Sequence, residues 1–438
     1  MSACKLTQGL RHCIAIGLLA WAALAAPTVC AETPRSVMNS NTKEPDVPAY
    51  ETEEFTWSLT VGHYNIDMGR TGIETLEYGN SFRDAQGKEL MRFYGSSGRY
   101  GAGLLPMGGS ARRMRLPKTL QLTYYDYQED RFYQLNAELP QQKIYELFQQ
   151  KIVDIDGRGK GVVPRFNAFT IGIAPQGYVM VWISTADGLN QMELTPVRAE
   201  PMRDMTVQKY NSTGNYDPMR GGRAFPLKED RWGFLSDGTK LKPETIAKLK
   251  SGWVPPADPY LQQRIKYPWR FVMTGTGNLK SFNAYFGNQE SVSVQPWEIA
   301  TYKVKAEQRG IPAAATFWFH DPSGKRHSIF MGFFTKMRVK AEEDFSEVWR
   351  AFEAIFPKRT LDDNALLPTE AEMATVEINV SDDLKTYTAT LVKGPQRISL
   401  PVGKTQFFDL EPNVFWPGNP APPAEFIQLL QSGPASGD

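Results

Sequence analysis

Tyr124-Tyr125-Asp126-Tyr127-Gln128-Glu129-Asp130-Arg131-Phe132-Tyr133 reads as an aromatic strand, a polar turn and a basic-aromatic strand. Trp318-Phe319-His320-Asp321-Pro322-Ser323-Gly324-Lys325-Arg326-His327 reads the same way, and the two align without a gap. Such self-similarity predicts two copies of one supersecondary unit. Outward from the first stretch, the pattern gives strands over 119–126 and 131–138. A helix starts at Pro140 and carries Ile144, Leu147, Phe148 and Ile152 on one face, with Gly157 and Gly159 as its stop. A second hairpin follows, 166–174 and 178–184 across Pro175-Gln176-Gly177. Ahead of all this, Phe55, Trp57, Leu59 and Val61 alternate with polar residues and predict a half-buried strand.

The second stretch has the same surroundings. Trp269, Phe271 and Met273 match the opening strand. A hairpin over 316–320 and 325–333 turns on Asp321-Pro322-Ser323-Gly324, residue types that favour turns. A helix carries Phe345, Val348, Trp349, Phe352, Ile355 and Phe356 and ends at Pro357; strands at 376–380 and 387–392 close the series. The expected fold class is α+β: two similar units, 53–200 and 267–412, each an antiparallel sheet packed by one main amphipathic helix. Residues 201–266 are a strap between them, with a short helix at 243–250, and 413–438 a proline-rich tail.

The first 31 residues read as a cleaved signal peptide. Lys5 and Arg11 precede an apolar run from Ile14 to Ala26, about 13 residues and too short to span a bilayer. Val29-Cys30-Ala31 is a peptidase site; Val29 before Cys30 argues against a lipoprotein. Residues 32–52 are polar and proline-containing, a disordered tether. The expected location is therefore the periplasm, with no stable membrane insertion. Cys4, Cys13 and Cys30 all lie in the leader, which excludes disulfides and thiol chemistry in the mature chain. Of 49 Lys+Arg and 48 Asp+Glu, Lys5 and Arg11 leave with the leader, giving a balance of 47 to 48. That near-neutrality argues against nucleic acid as a partner.

Catalytic patterns are absent: there is no Gly-x-Ser-x-Gly elbow, no HExxH helix and no HxKxxxxD motif. Gly95, Gly98, Gly101, Gly103, Gly108 and Gly109 lead into Arg112, Arg113, Arg115 and Pro117 rather than into a Gly-Lys-Ser helix, so they predict a basic surface loop and not a phosphate loop. With a four-residue loop at 321–324, His320 pairs with Lys325 and Trp318 with His327. His320 and His327 then share one face about 7 Å apart, half of a metal site with no third ligand. No cofactor and no metal is expected. The outward residues of the two hairpins have interface composition. The candidate contact residues are Arg112, Arg113, Arg115, Tyr127, Arg131, His320, Lys325, Arg326 and His327.

The series Leu116-Pro117, Tyr124-Tyr125, Phe132-Tyr133, Leu139-Pro140, Ile144, Leu147 resembles a bacterial exported domain of unknown function, commonly encoded beside type VI secretion phospholipase effectors. Members include periplasmic immunity proteins, the protective half of toxin–antitoxin pairs. The whole chain is similar to the duplicated form that protects against a phospholipase D effector. In the second unit Ile311-Pro312 stands for the first Leu-Pro, and Phe333-Phe334 replaces the second. The resemblance implies a non-enzymatic protein whose partner is a secreted phospholipase. Two alternatives stay open: a periplasmic hydrolase or glycan-binding module, and an envelope scaffold.

Overall fold

Residues 47–63, 73–76, 79–93, 98–100, 108–109, 113–152, 154–155, 161–162, 165–212, 243–334 and 345–409 are described by the structure, a computed structural model of the chain. The expected leader, most of the tether, the tail and Arg112 lie outside them. Among the described residues no helix is long and apolar enough to cross a membrane.

The chain is mostly β, with several sheets and a few short helices. In the first half, β1 (Ser58–His63) is followed by β2 (Ser81–Arg83), β3 (Glu89–Arg92), and the hairpin β4 (Thr119–Asp126) and β5 (Arg131–Glu138). Then come α1 (Gln141–Gln149), β6 (Phe166–Ile173), β7 (Tyr178–Thr185), β8 (Gln191–Arg198) and β9 (Glu200–Pro201). These strands make two sheets rather than the one expected. In the first, β1 runs parallel to β6 (Leu59 opposite Phe169), and β6, β7 and β8 are antiparallel in turn. In the second, all antiparallel, the order is β9-β5-β4-β2-β3. The parallel pair follows from separation: a crossover of about 100 residues joins β1 to β6, and only a long crossover can bring two strands side by side in one direction.

One core lies between the two sheets. Trp57, Leu59, Val61, Phe169 and Ile171 from the first meet Phe82, Leu120, Leu122 and Tyr124 from the second, with Ile144 and Phe148 of α1 beside them. Trp57 stands edge-on to Phe82 at 5.6 Å and to Phe169 at 5.3 Å, the arrangement aromatic quadrupoles favour. β1 is buried on both faces, Thr60 and His63 included, not half-buried. Burial holds the His63 imidazole down to a pKa of about 4, against 6.5. The unfolded chain therefore takes up this proton near pH 6.5 and the folded chain only near 4. Stability is full above 6.5 and drops as pH falls, by about 2–3 kcal/mol at pH 4.5 from this group. We expect His63→Gln to flatten the fall in urea midpoint between pH 7 and 4.5; an unchanged fall refutes the assignment.

Past β9 the segment expected to be a strap supplies α2 (Val207–Ser212), α3 (Pro243–Lys250) and α4 (Asp258–Gln263). It does form a small core. Val207, Tyr210 and Leu249 pack on Tyr125, Tyr127 and Phe132, covering the outer face of the β4–β5 hairpin.

The second half begins with β10 (Tyr267–Gly275), β11 (Asn278–Phe286), β12 (Ser291–Val294), α5 (Ile299–Val304), β13 (Pro312–His320) and β14 (Arg326–Gly332). It continues with α6 (Ser346–Ile355), β15 (Ala374–Val380), β16 (Tyr387–Lys393), β17 (Gln396–Leu400) and β18 (Lys404–Asp409). β10 runs parallel to β15 (Phe271 opposite Val376), with β15, β16 and β17 antiparallel in turn. The other strands order as β12-β11-β13-β14-β18, all antiparallel. Trp269, Phe271, Phe282, Phe317 and Phe352 centre the core between them.

The halves share a sheet. β8 meets β12 at Gln191 opposite Ser291, which fuses four strands of the first half with five of the second into an eleven-stranded sheet that also takes in the short strands at Gly98–Arg99 and Gly108–Gly109. Side chains close the joint. Trp182 Nε1 donates to the Asn288 carbonyl (3.2 Å), Gln191 to the Gln289 carbonyl (2.6 Å), and the Ser293 amide to Asn190 Oδ1 (3.1 Å). Arg264 pairs with Glu193 at 2.8 Å and Lys266 with Glu290 at 2.6 Å, all largely buried. The described residues from Val47 onward accordingly form one compact body.

Candidate protein-binding surface

At the tip of the first hairpin, Asp126 Oδ1 accepts the amides of Gln128 (2.8 Å) and Glu129 (3.1 Å), which folds the chain back on itself. Asp130 turns through positive φ, +54°, and accepts the Tyr125 hydroxyl at 2.6 Å. Glu129 takes the Tyr133 hydroxyl on one oxygen (2.6 Å) and the Gln176 amide on the other (2.6 Å). That second bond ties the hairpin to the turn between β6 and β7. Gly177 in this turn has φ +83°, and a Cβ there would sit 2.4 Å from the Ala199 carbonyl, so only glycine fits. Gln176 Nε2 donates in turn to the Pro255 carbonyl (3.1 Å), which fixes the loop after α3.

Three turns are thus cross-tied at one end of the first half. The hairpin exposes Arg131 and the loop after α3 exposes Trp253 and Val254; Lys248 Nζ, from α3, stands 5.8 Å from the centre of the Trp253 ring. Trp253 is 37% exposed and Val254 43%. An exposed tryptophan with a cation beside it is the composition of a protein-binding hot spot. The carboxylates here are occupied as acceptors. Burial and the Glu129 bond push the Tyr133 phenol up, and full burial does the same for Tyr124, so both stay protonated. Among the described residues no group of three His, Cys, Asp or Glu could hold a metal ion. Glu129→Ala removes both of its bonds and is expected to lower stability by about 2–3 kcal/mol. It should also increase amide exchange at Gln176 and Gly177; a variant as stable and as protected as the parent would dissociate Glu129 from this role.

The sequence-derived contact residues divide. Arg131 is exposed at this tip, but Tyr127 is buried, because α2 and α3 cover the face on which it was expected to be open. Arg113 donates to the Glu54 carbonyl (2.6 Å); Arg115 pairs with Asp84 (3.4 Å) and bonds Gln86. Both precede β4, at the opposite end of an eight-residue strand, roughly 25 Å from the tip. The glycines do not form a free loop throughout: Gly98–Arg99 and Gly108–Gly109 both pair with β1.

The second hairpin has a five-residue loop, one longer than the first. His320 pairs with Arg326, not Lys325, and Phe319 with His327. The slip of one residue puts His320 and His327 on opposite faces, so the expected diagonal pair does not form. His327 is buried between Phe319 (5.4 Å) and Phe407 (5.2 Å) and bonds Asp321 Oδ2 at 3.0 Å. Bonds from Ser323, His327 and the Lys325 amide hold the Asp321 carboxyl well below its usual range. His320 is half-buried, its pKa lowered by that burial and by Lys280 and Arg326; Lys325 is exposed and Arg326 half-buried.

Residues 38–223 match the family model described as "Protein of unknown function (DUF2931)". A DUF2931 domain therefore spans the first half. It takes in β1 to β9 and α2, and with them the hairpin tip and the turn at Gly177, but not the loop bearing Trp253. No curated protein and no solved structure matches the chain. The residues of the resembling series are core residues of the DUF2931 domain: Leu116, Tyr124, Phe132, Tyr133, Leu139 and Ile144 are all buried. Sequence reasoning did not single out Trp253 and Val254. The available signal was the run Gly252-Trp253-Val254-Pro255-Pro256, which offers a tryptophan no periodic partner.

Proposed function

We propose that this chain is a periplasmic immunity protein that binds a type VI secretion phospholipase effector and blocks it sterically. The observation that carries the reading is the cross-tied tip of the DUF2931 domain, where Arg131 is exposed and Gln176 holds the loop that exposes Trp253 and Val254. A preorganised surface of this kind loses little entropy on binding, which favours a tight inhibitor. The leader pattern of residues 1–31 supports the compartment, and the series from Leu116 to Leu147 supports the kinship with exported immunity domains. Because that series is buried, it specifies the scaffold and leaves the surface to differ with the partner.

The finer reading of the fold belongs to the same proposal: the two halves are copies of one unit. Supporting it, β1, β6, β7 and β8 pair in the order and sense of β10, β15, β16 and β17. Likewise β3-β2-β4-β5-β9 corresponds to β12-β11-β13-β14-β18, and α1 and α6 each follow the second hairpin strand.

The deciding experiment mixes purified protein with the type VI secretion phospholipase effector of the same organism and follows phospholipid hydrolysis. Inhibition at equimolar protein is expected; full activity at that ratio refutes the reading.

A further inference from the structure

Tyr285, Trp318 and Phe330 share one face of the eleven-stranded sheet, on β11, β13 and β14. Alternation sets them there. Phe282 and Ala284, Phe317 and Phe319, and Ile329 and Met331 point into the core, so the residues between and beside them point away from it. Trp318 is opposite Ser328 and Phe330 opposite Thr316, which makes the two rings a diagonal pair about 7 Å apart. Tyr285, 43% exposed, lies two strands from Phe330, about 10 Å across the sheet. The side chains between the rings are short: Ser281, Asn283, Ala314 and Thr316. One end of this face has a basic rim. Arg326 is opposite His320, and Lys280 sits in the bulge of β11. Burial, then Lys280 and Arg326, hold the His320 imidazole below its usual range. Asp321 beside them is engaged by His327.

The chain leaves the fold from this same sheet. β18 is its edge, with Gln406 opposite Phe330 and Asp409 opposite His327. Residues 410–438 follow and include Pro412, Pro417, Pro420, Pro422 and Pro423, so that Pro-x-x-Pro occurs at 417–420 and again at 420–423. Proline has no N–H, which prevents such a segment from extending the sheet edge. Aromatic-lined surfaces, by contrast, take polyproline segments readily, because the extended helix is formed in advance. One turn of that helix advances about 9 Å, close to the two-strand spacing of Tyr285 and Phe330. The segment carries Glu411, Glu425 and Asp438 and no Lys, Arg or His, opposite in sign to the rim.

We propose that the tail of this chain, from Pro412 to Pro423, docks across Tyr285, Trp318 and Phe330 on the outer face of its own sheet, with Glu411 at the basic rim. Trp318 is two strands from β18, about 10 Å, and seven extended residues span more than about 20 Å. This docking does not depend on the immunity reading. It makes the aromatic face a proline-recognition surface filled by the molecule's own chain.

Chymotrypsin tests it, because Phe415, Trp416 and Phe426 are cleavage points within the tail. Release of the tail from the full chain is followed by mass spectrometry, with a synthetic peptide of residues 410–438 as the unprotected reference. The parent tail is expected to be cut at least about 100-fold more slowly than the peptide. Trp318→Ala and Pro417→Ser/Pro420→Ser/Pro423→Ser are each expected to be cut at least about 10-fold faster than the parent. Tyr285→Ala, at an exposed position, should keep the parent's urea midpoint and still be cut about 3-fold faster or more, which covers the case of Trp318→Ala unfolding. A parent tail cut at the rate of the peptide overturns the docking. A parent tail that is protected, and equally protected in all three variants, places it elsewhere and overturns it too. Cleavage that slows as protein concentration rises would assign the tail to the face of a second copy, against docking within one chain.

Discussion

Trp182→Ala is expected to lower the stability of the whole chain by about 3–5 kcal/mol. The indole is fully buried in β7 and lies edge-on to Tyr100 at 5.1 Å. Its ring fills the space over Gly172, where a Cβ would stand 2.4 Å from it. Its Nε1 crosses the joint to the Asn288 carbonyl. Truncation therefore leaves a cavity in the first half and an unsatisfied carbonyl in the second. Trp182→Phe separates the two effects: it keeps most of the apolar contact and loses the bond, at about 1–3 kcal/mol. Urea unfolding by far-ultraviolet circular dichroism measures both. An alanine variant within about 1 kcal/mol of the parent would remove Trp182 from the joint's energetics.

The second large effect is an asymmetry between two partners. Arg270 is buried on β10; its guanidinium binds the Lys303 carbonyl at the end of α5 and the Glu370 carboxylate, whose own side chain is 67% exposed. Glu370→Ala strands a buried cation with one neutral acceptor and is expected to lower stability by about 2–4 kcal/mol. Arg270→Met returns Glu370 to water, replaces the charge by an apolar chain of similar length, and should be milder, about 1–2 kcal/mol for the orphaned carbonyl. The expected order, Glu370→Ala worse than Arg270→Met, is unusual for an exposed residue. The reverse order in denaturant melts would show that the ion pair itself, not the burial of Arg270, sets the energy.

Much of the scaffold was legible, and the reasons are local. β4 and β5 were read residue for residue, because Leu120, Leu122 and Tyr124 alternate with polar neighbours and the turn carries Asp126 and Asp130. α6 was read from an apolar stripe that Pro357 stops. β1 was misread as half-buried because five of its six residues are buried, and both faces inside leave no alternation to infer from. β11 was missed: a bulge between Leu279 and Ser281 shifts its inward face part-way along, so no period of two survives. The same one-residue arithmetic misplaced His327, since the extra loop residue after His320 changes which face it takes. Arg131 was placed correctly on the surface. Tyr127 was not, because its cover comes from Val207, Tyr210 and Leu249, and sequence distance hides such contacts.

The fusion of β8 to β12 also sets a limit on growth. One half offers the edge of its four-stranded sheet, and the other accepts it with the edge of its five-stranded one. The corresponding edges at the far ends are β17 and β3. Were they alike in chemistry, molecules would add head to tail without end. They are not. β3 bears Glu89 and Arg92, paired at 3.0 Å on an exposed four-residue strand, and β17 bears Arg397, paired with Glu377. Charged side chains on short edge strands resist further pairing. Two sheet edges, β8 and β12, are thus joined to each other, while the edges at β3 and β17 are blunted by charge.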